Sequence, residues 1–150
     1  EVQLCGIMAE MVRVITELAV RPDQQAFVAA NAVSLAEALF TDEGWYRAIY
    51  LRGEPVDIVM LYDESLRADP PKAPQIALWQ FMIDAQHQRQ GIGAIALQQV
   101  IEHVRRKGES TSLLVSYVPE PGCPEGFYPN AGFQHTGQID EGEVVLRLAL

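Results

Sequence analysis

Cysteine and histidine are scarce in this chain. Its 150 residues hold two cysteines, Cys5 and Cys123, and three histidines, His87, His103 and His135. Two cysteines so far apart make no disulfide framework, and no spacing matches a zinc site. Both thiols are expected free, and no metal is expected. Positive charge is short as well: 11 Lys and Arg stand against 20 Asp and Glu, a net charge of −9. Such a chain repels phosphate backbones and anionic lipid. Nucleic-acid and membrane partners are therefore disfavoured, and a cationic partner is favoured. No apolar run reaches the length of a membrane-spanning helix. The first residues, EVQLCGIMAEM, have neither a basic start nor a small-residue cleavage site, so a cytoplasmic protein is expected.

Apolar residues, at 49%, are plentiful enough for a packed core. The length fits a single domain over 1–150, and neither repeats nor a linker divide it. Val2 to Leu4 reads as a short strand. Met8, Met11, Val12, Ile15, Leu18 and Ala19 recur at helical spacing. After Pro22, Asn31 or Ser34 caps a second helix, with Glu37 completing a capping box on Ser34. WYRAIYL and VDIVMLYD form a hairpin across the turn Arg52 to Pro55, and a proline-stiffened loop follows. Ile76–Ile83 suits a buried central strand. Leu97, Val100, Ile101 and Val104 mark a long helix, closed by Arg105, Arg106, Lys107 and Gly108. SLLVSY is another buried strand. The loop VPEPGCPEG leads into FYPNAGF, and a last hairpin spans 133–149. The order β-α-α-β-β-β-α-β-α-β-β predicts an α/β fold with a mixed sheet.

Two glycines stand where the strand hands over to the long helix, in QHQRQGIGA, residues 86–94. The first N–H groups of a helix have no intrahelical partner and carry the positive end of its dipole. Bare backbone at that point lets a phosphate approach closely. Arg89 is the one cationic side chain in the stretch. No GxxxxGK[ST] is present, so this is not a P-loop, and GIGAIA lacks the last glycine of a dinucleotide fingerprint. A tight turn without a ligand is the competing reading of these glycines.

Gln88-Arg89-Gln90-Gly91-Ile92-Gly93 resembles the acetyl-CoA pyrophosphate motif of the GNAT superfamily of N-acetyltransferases, (Arg/Gln)-x-x-Gly-x-(Gly/Ala). Downstream, Phe127-Tyr128-Pro129-Asn130-Ala131-Gly132-Phe133 resembles the FYxxxGF signature of the same families. LWQFMID and YVPEPGCPEGFY further resemble the bacterial spermine/spermidine acetyltransferases. The resemblance implies a mostly antiparallel central sheet flanked by helices, with a V-shaped split between strands 76–83 and 112–117. It implies acetyl-CoA as co-substrate. Phe81, Met82 and Ile83 would offer main chain to the pantetheine arm, which behaves as an added strand; their side chains are read as core. Gln88, Arg89, Gln90, Gly91, Ile92, Gly93 and Ala94 would hold the pyrophosphate. Tyr128 would be the general acid that protonates the departing sulfur, against the plainer reading of a packed aromatic.

An amine arrives protonated at neutral pH, its pKa being about 10.4. No side chain in the sequence stands out as the base that removes the proton; Asp84 is close in sequence but lies toward the phosphates. Glu37, Asp63 and Glu125 are candidate acceptor-binding carboxylates, with Glu64 and Glu120 beside them; Glu37 is favoured because its helix lines the acceptor side in the superfamily. Together they suit a small cationic amine, a polyamine before an aminoglycoside or peptide. Three departures from the family pattern stand out: Pro121 replaces a common asparagine, Asp57 replaces a common glycine and is expected to face solvent or acceptor, and Pro129 requires a short helix starting near Pro124. Pro121 and the missing base leave open a non-catalytic acyl-CoA-binding module. The apolar end VVLRLAL suggests a homodimer through the last strand.

Overall fold

The computed structural model describes residues 1–19, 22, 30–81, 91–119 and 126–150. Seven strands lie in one sheet: β1 Val2–Cys5, β2 Gly44–Leu51, β3 Glu54–Asp63, β4 Ile76–Phe81, β5 Ser112–Tyr117, β6 Gln134–Asp140 and β7 Glu143–Ala149. Their order across the sheet is β1-β2-β3-β4-β5-β7-β6. The helices are α1 Val12–Glu17, α2 Asn31–Ala38, α3 Ile92–Lys107 and α4 Phe127–Asn130. The element order is the one the sequence predicts. Neighbouring strands pair antiparallel except β4 and β5, which are parallel because α3 carries the chain back between them.

Helices cover both faces of the sheet. On one face Met11 and Ile15 pack on Ala48, Ile58 and Met60, with Leu35 and Ala38 of α2 beside them. On the other, Ile92, Ala96, Leu97, Val100, Ile101 and Val104 of α3 pack on Val59, Leu61, Ile76, Leu113 and Val115. This double cover explains why VDIVMLYD runs apolar without strict alternation: β3 is buried from Val56 to Leu61. No described helix is long and apolar enough to cross a membrane.

Three sequence expectations change here. First, α2 begins at Asn31, and no side chain caps it. Ser34 lies inside the helix and donates to Gln80 Oε1 at 2.9 Å, so the Ser34–Glu37 capping box does not form. Second, Asp57 is 3% exposed rather than open to solvent. It is bearable there because it is paired: Oδ1 accepts from Asn31 Nδ2 at 2.9 Å and from the Ile58 amide at 2.7 Å. Asn31 Nδ2 also reaches Ile15 O at 3.0 Å, and Gln80 Nε2 donates to Asn31 Oδ1 at 3.1 Å. One buried polar network thus ties α1, α2, β3 and β4. Third, β7 lies between β5 and β6 and is paired on both sides, so it offers no edge to a second chain.

Candidate active site

β4 and β5 touch at one end alone. Their described register holds two pairs, Ile76↔Leu113 and Ala77↔Leu114. Beyond these, β4 runs on to Phe81 paired with β3, and β5 runs on to Tyr117 paired with β7. Between Leu78–Phe81 and Val115–Tyr117 the sheet opens into the expected V. No described β4–β5 pair crosses that opening, and an extended amide-bearing chain can lie along it.

α3 is the helix that follows β4 in the chain. Its N-cap is Gly91, in the left-handed region at φ 76°, with no side-chain cap. A Cβ at Gly91 would meet nothing within 4 Å, so glycine is needed there for backbone conformation alone. The sixteen-residue helix therefore starts with no side-chain cap at its N-terminus, where first-turn N–H groups favour an anion. Ile92 itself turns its side chain into the core. Replacing Gly91 with alanine is expected to cost about 1 kcal/mol from the left-handed φ. It is also expected to raise KM for acetyl-CoA more than it lowers kcat, which steady-state kinetics and chemical denaturation check together.

Four aromatic side chains bridge the two arms of the V. Phe81 at the end of β4 stacks on Phe127 at 5.9 Å between centroids. Phe127 meets Tyr128 edge-on at 5.2 Å, and Tyr128 lies 6.5 Å from Tyr117 at the end of β5. Phe133 closes the cluster against Tyr128 at 5.6 Å. Tyr128 is 5% exposed, and burial pushes its hydroxyl pKa well above the ordinary tyrosine value. The hydroxyl is therefore protonated at neutral pH. α4 starts at Phe127 after Gly126, later than expected, and Pro129 sits in its first turn, where its missing N–H costs nothing. Gly132 has φ 102°, and a Cβ there would press on Leu148 Cδ1 at 3.2 Å. That is the physical reason for the glycine in FYPNAGF.

The predicted acceptor carboxylates divide. Glu37 is exposed on α2, one turn from Ser34. Asp63 does not face a groove: it is 1% exposed, caps the following turn through Ser65 N at 2.9 Å, and faces Lys107 Nζ at 3.3 Å as an ion pair without an aligned hydrogen bond. Glu64 is likewise engaged, with Gln75 N and with Arg67. Beside them Arg67 Nε meets Glu43 at 2.8 Å and holds that carboxyl below its ordinary range. The hairpin end is thus a self-paired cluster. Met82, Ile83, Gln88, Arg89, Gln90 and Glu125 lie outside the described residues, as do Asp84, Glu120 and Pro121. Among the described residues no group of three or more His, Cys, Asp or Glu converges as a metal site. The Asn31–Asp57–Gln80–Ser34 network was not foreseen as a unit; Asp57 had stood out only as a residue replacing glycine.

The model of the acetyltransferase (GNAT) family matches residues 8–119. The chain belongs to that family. The match takes in α1 to β5 and ends before Tyr128. No curated protein sequence matches the chain. Among solved structures it is similar to an aminoglycoside acetyltransferase, AAC(6')-Ib, in complex with coenzyme A and kanamycin, at 16% identity and TM-score 0.77, covering 99% of this chain and 95% of that one. It is similar to a GNAT family acetyltransferase from Elizabethkingia anophelis with acetyl-CoA bound, at 15% identity and TM-score 0.67, covering 99% and 98%. The PaiA N-acetyltransferase of Thermoplasma acidophilum, in complex with coenzyme A, gives 10% identity and TM-score 0.71, covering 100% and 99%. At these identities the likeness establishes the fold.

As a GNAT member the chain is an N-acetyltransferase with acetyl-CoA as co-substrate. Its own geometry fits that coenzyme. The sheet parts between β4 and β5, and α3 starts at a left-handed glycine with no side-chain cap.

Proposed function

We propose that this acetyltransferase acts on a primary amine of a small polycation, a polyamine before an aminoglycoside, by direct attack on the thioester with Tyr128 as general acid. The observation that carries the reading is the position of Tyr128, on the aromatic bridge between the two arms of the split sheet. Acetyl-CoA supplies an activated acetyl group. The deprotonated amine forms a C–N bond as the C–S bond breaks, and its nitrogen then loses a proton to water to leave the neutral amide. Tyr128 O–H donates its proton to the departing sulfur and regains one from solvent. Main chain of Phe81, Met82 and Ile83 is the pantetheine-facing edge in this proposal, and residues 88–94 hold the pyrophosphate.

The acceptor assignment rests on charge. The chain carries −9, and Glu37 is an exposed carboxylate with no ion-pair partner among the described residues. Glu125 is proposed beside it; Asp63 is not, being committed to Lys107. A polycation is held by several such carboxylates along a groove. The complex of AAC(6')-Ib with kanamycin favours aminoglycosides as the second reading. A homodimer is retained as part of the proposal, through packing of the C-terminal hairpin rather than strand pairing by β7.

Release of coenzyme A thiol tests the reading, with acetyl-CoA fixed and spermidine, kanamycin or a lysine peptide varied. Saturable release with spermidine at the highest kcat/KM is the expected result. Faster turnover of kanamycin would replace the polyamine assignment. Coenzyme binding with no release on any amine would leave only a binding module. Glu37→Gln is expected to raise KM for spermidine about fivefold with kcat unchanged, the worth of one exposed ion pair.

A further inference from the structure

The far end of α3 carries a second concave site. A cleft of about 310 Å³ opens between α3 and the β1–β2 edge, lined by Trp45, Arg47, Gln99, Glu102, His103 and Arg106. The four helix residues fall at i, i+3, i+4 and i+7, one stripe of α3 turned toward the strands. The walls are fixed. Gln99 Nε2 donates to Val2 O at 2.7 Å. Trp45 and His103 stack at 4.3 Å, and the Arg47 guanidinium sits 4.7 Å from the centre of the Trp45 ring. Arg47 Nη1 is further held by Tyr46 O at 2.7 Å. His103 lies about 18 Å along the helix from Gly91, from twelve residues at 1.5 Å each, so this is not the coenzyme site.

The charge of the cleft runs against that of the protein. Neither Arg47 nor Arg106 meets a carboxylate at ion-pair distance among the described residues. Lys107, beside them, is taken by Asp63. Glu102 is the one acid in the lining. His103 Nε2 is buried without a hydrogen-bond partner. Burial first, then Lys107, Arg47 and Arg106, lower its pKa, with Asp63 acting weakly the other way. One held guanidinium, Arg47, one exposed guanidinium, Arg106, and the stacked Trp45–His103 wall thus line one small volume. A cation is repelled there, whereas an oxyanion finds paired donors.

We propose that this cleft is a binding site for a small multivalent oxyanion, phosphate- or carboxylate-bearing, separate from the acyl-transfer site. Arg47 and Arg106 grip the anion, against the wall formed by the stacked Trp45 and His103 rings. The occupant bridges β2 and α3, locking the edge of the sheet to the helix whose other end holds coenzyme.

The test is fluorescence of Trp45 in Trp79→Phe protein, titrated with inorganic phosphate, pyrophosphate and citrate. Coenzyme A is kept saturating to fill the other phosphate site, and ionic strength is held constant with chloride. The expected result is a saturable change with Kd at or below about 1 mM for at least one anion. Arg106→Gln, at an exposed position, should weaken it about tenfold, and Glu102→Gln should tighten it. Preference for pyrophosphate would identify a phosphate ligand, and preference for citrate a carboxylate one. A linear response with no saturation, or equal Kd in wild type and Arg106→Gln, would overturn the proposal.

Discussion

Tyr128→Phe is expected to reduce coenzyme A release by about 100-fold or more at saturating amine, within the range for loss of a general acid. The ring stays. Its contacts with Tyr117, Phe127 and Phe133 are made by carbons that phenylalanine retains, so the denaturation midpoint should move little. KM for acetyl-CoA should change less than threefold, because the backbone and not the phenol is assigned to coenzyme binding. This split between kcat and KM separates a proton donor from a packing residue. A kcat within a factor of about three of wild type would remove Tyr128 from the mechanism and leave the aromatic bridge as packing.

Asn31→Ala is expected to be the most damaging single change to the fold, at about 3 kcal/mol. It deletes two donor contacts and one acceptor contact at once, to Ile15 O, Asp57 Oδ1 and Gln80 Nε2. It also takes a donor from a buried carboxylate, the costly direction of an asymmetric exchange. For a domain of this size that corresponds to roughly 10 °C in Tm, read by calorimetry. Asn31→Asp, nearly isosteric, sets two carboxylates side by side, and the pKa of the pair is pushed up. Its penalty is therefore full at neutral pH and eases as the pH falls through the raised value. A variant equally stable at pH 5 and 8 would contradict the charge explanation.

The elements that could be read from the sequence are those whose cause is local. Leu97, Val100, Ile101 and Val104 mark the buried face of α3 because helical spacing alone puts them together. Gly91 and Gly132 stand out because their backbones need them. The splay of β4 and β5 came from resemblance, and the register then showed it in two rungs. What failed was set by distant partners. Ser34 looks like a cap until Gln80, 46 residues on, takes its hydroxyl. Asp57 looks exposed until Asn31, 26 residues earlier, meets it. Asp63 looks like a groove acid until the last turn of α3 brings Lys107. The cleft at Trp45 and His103 has no linear signature, since its lining comes from three elements.

The two shared rungs of β4 and β5 also bear on endurance. Four strands on one side and three on the other share two strand rungs, with α3 and the aromatic cluster spanning the rest of the split. On the proposed reading, a pantetheine arm in the gap would add contacts between the two sets of strands. Ligand at a hundred times its Kd adds about 2.7 kcal/mol to the folded form. Resistance to proteolysis is then expected to rise with the supply of acetyl-CoA. The enzyme would last longest where its acetyl donor is abundant and be cleared where the donor runs out.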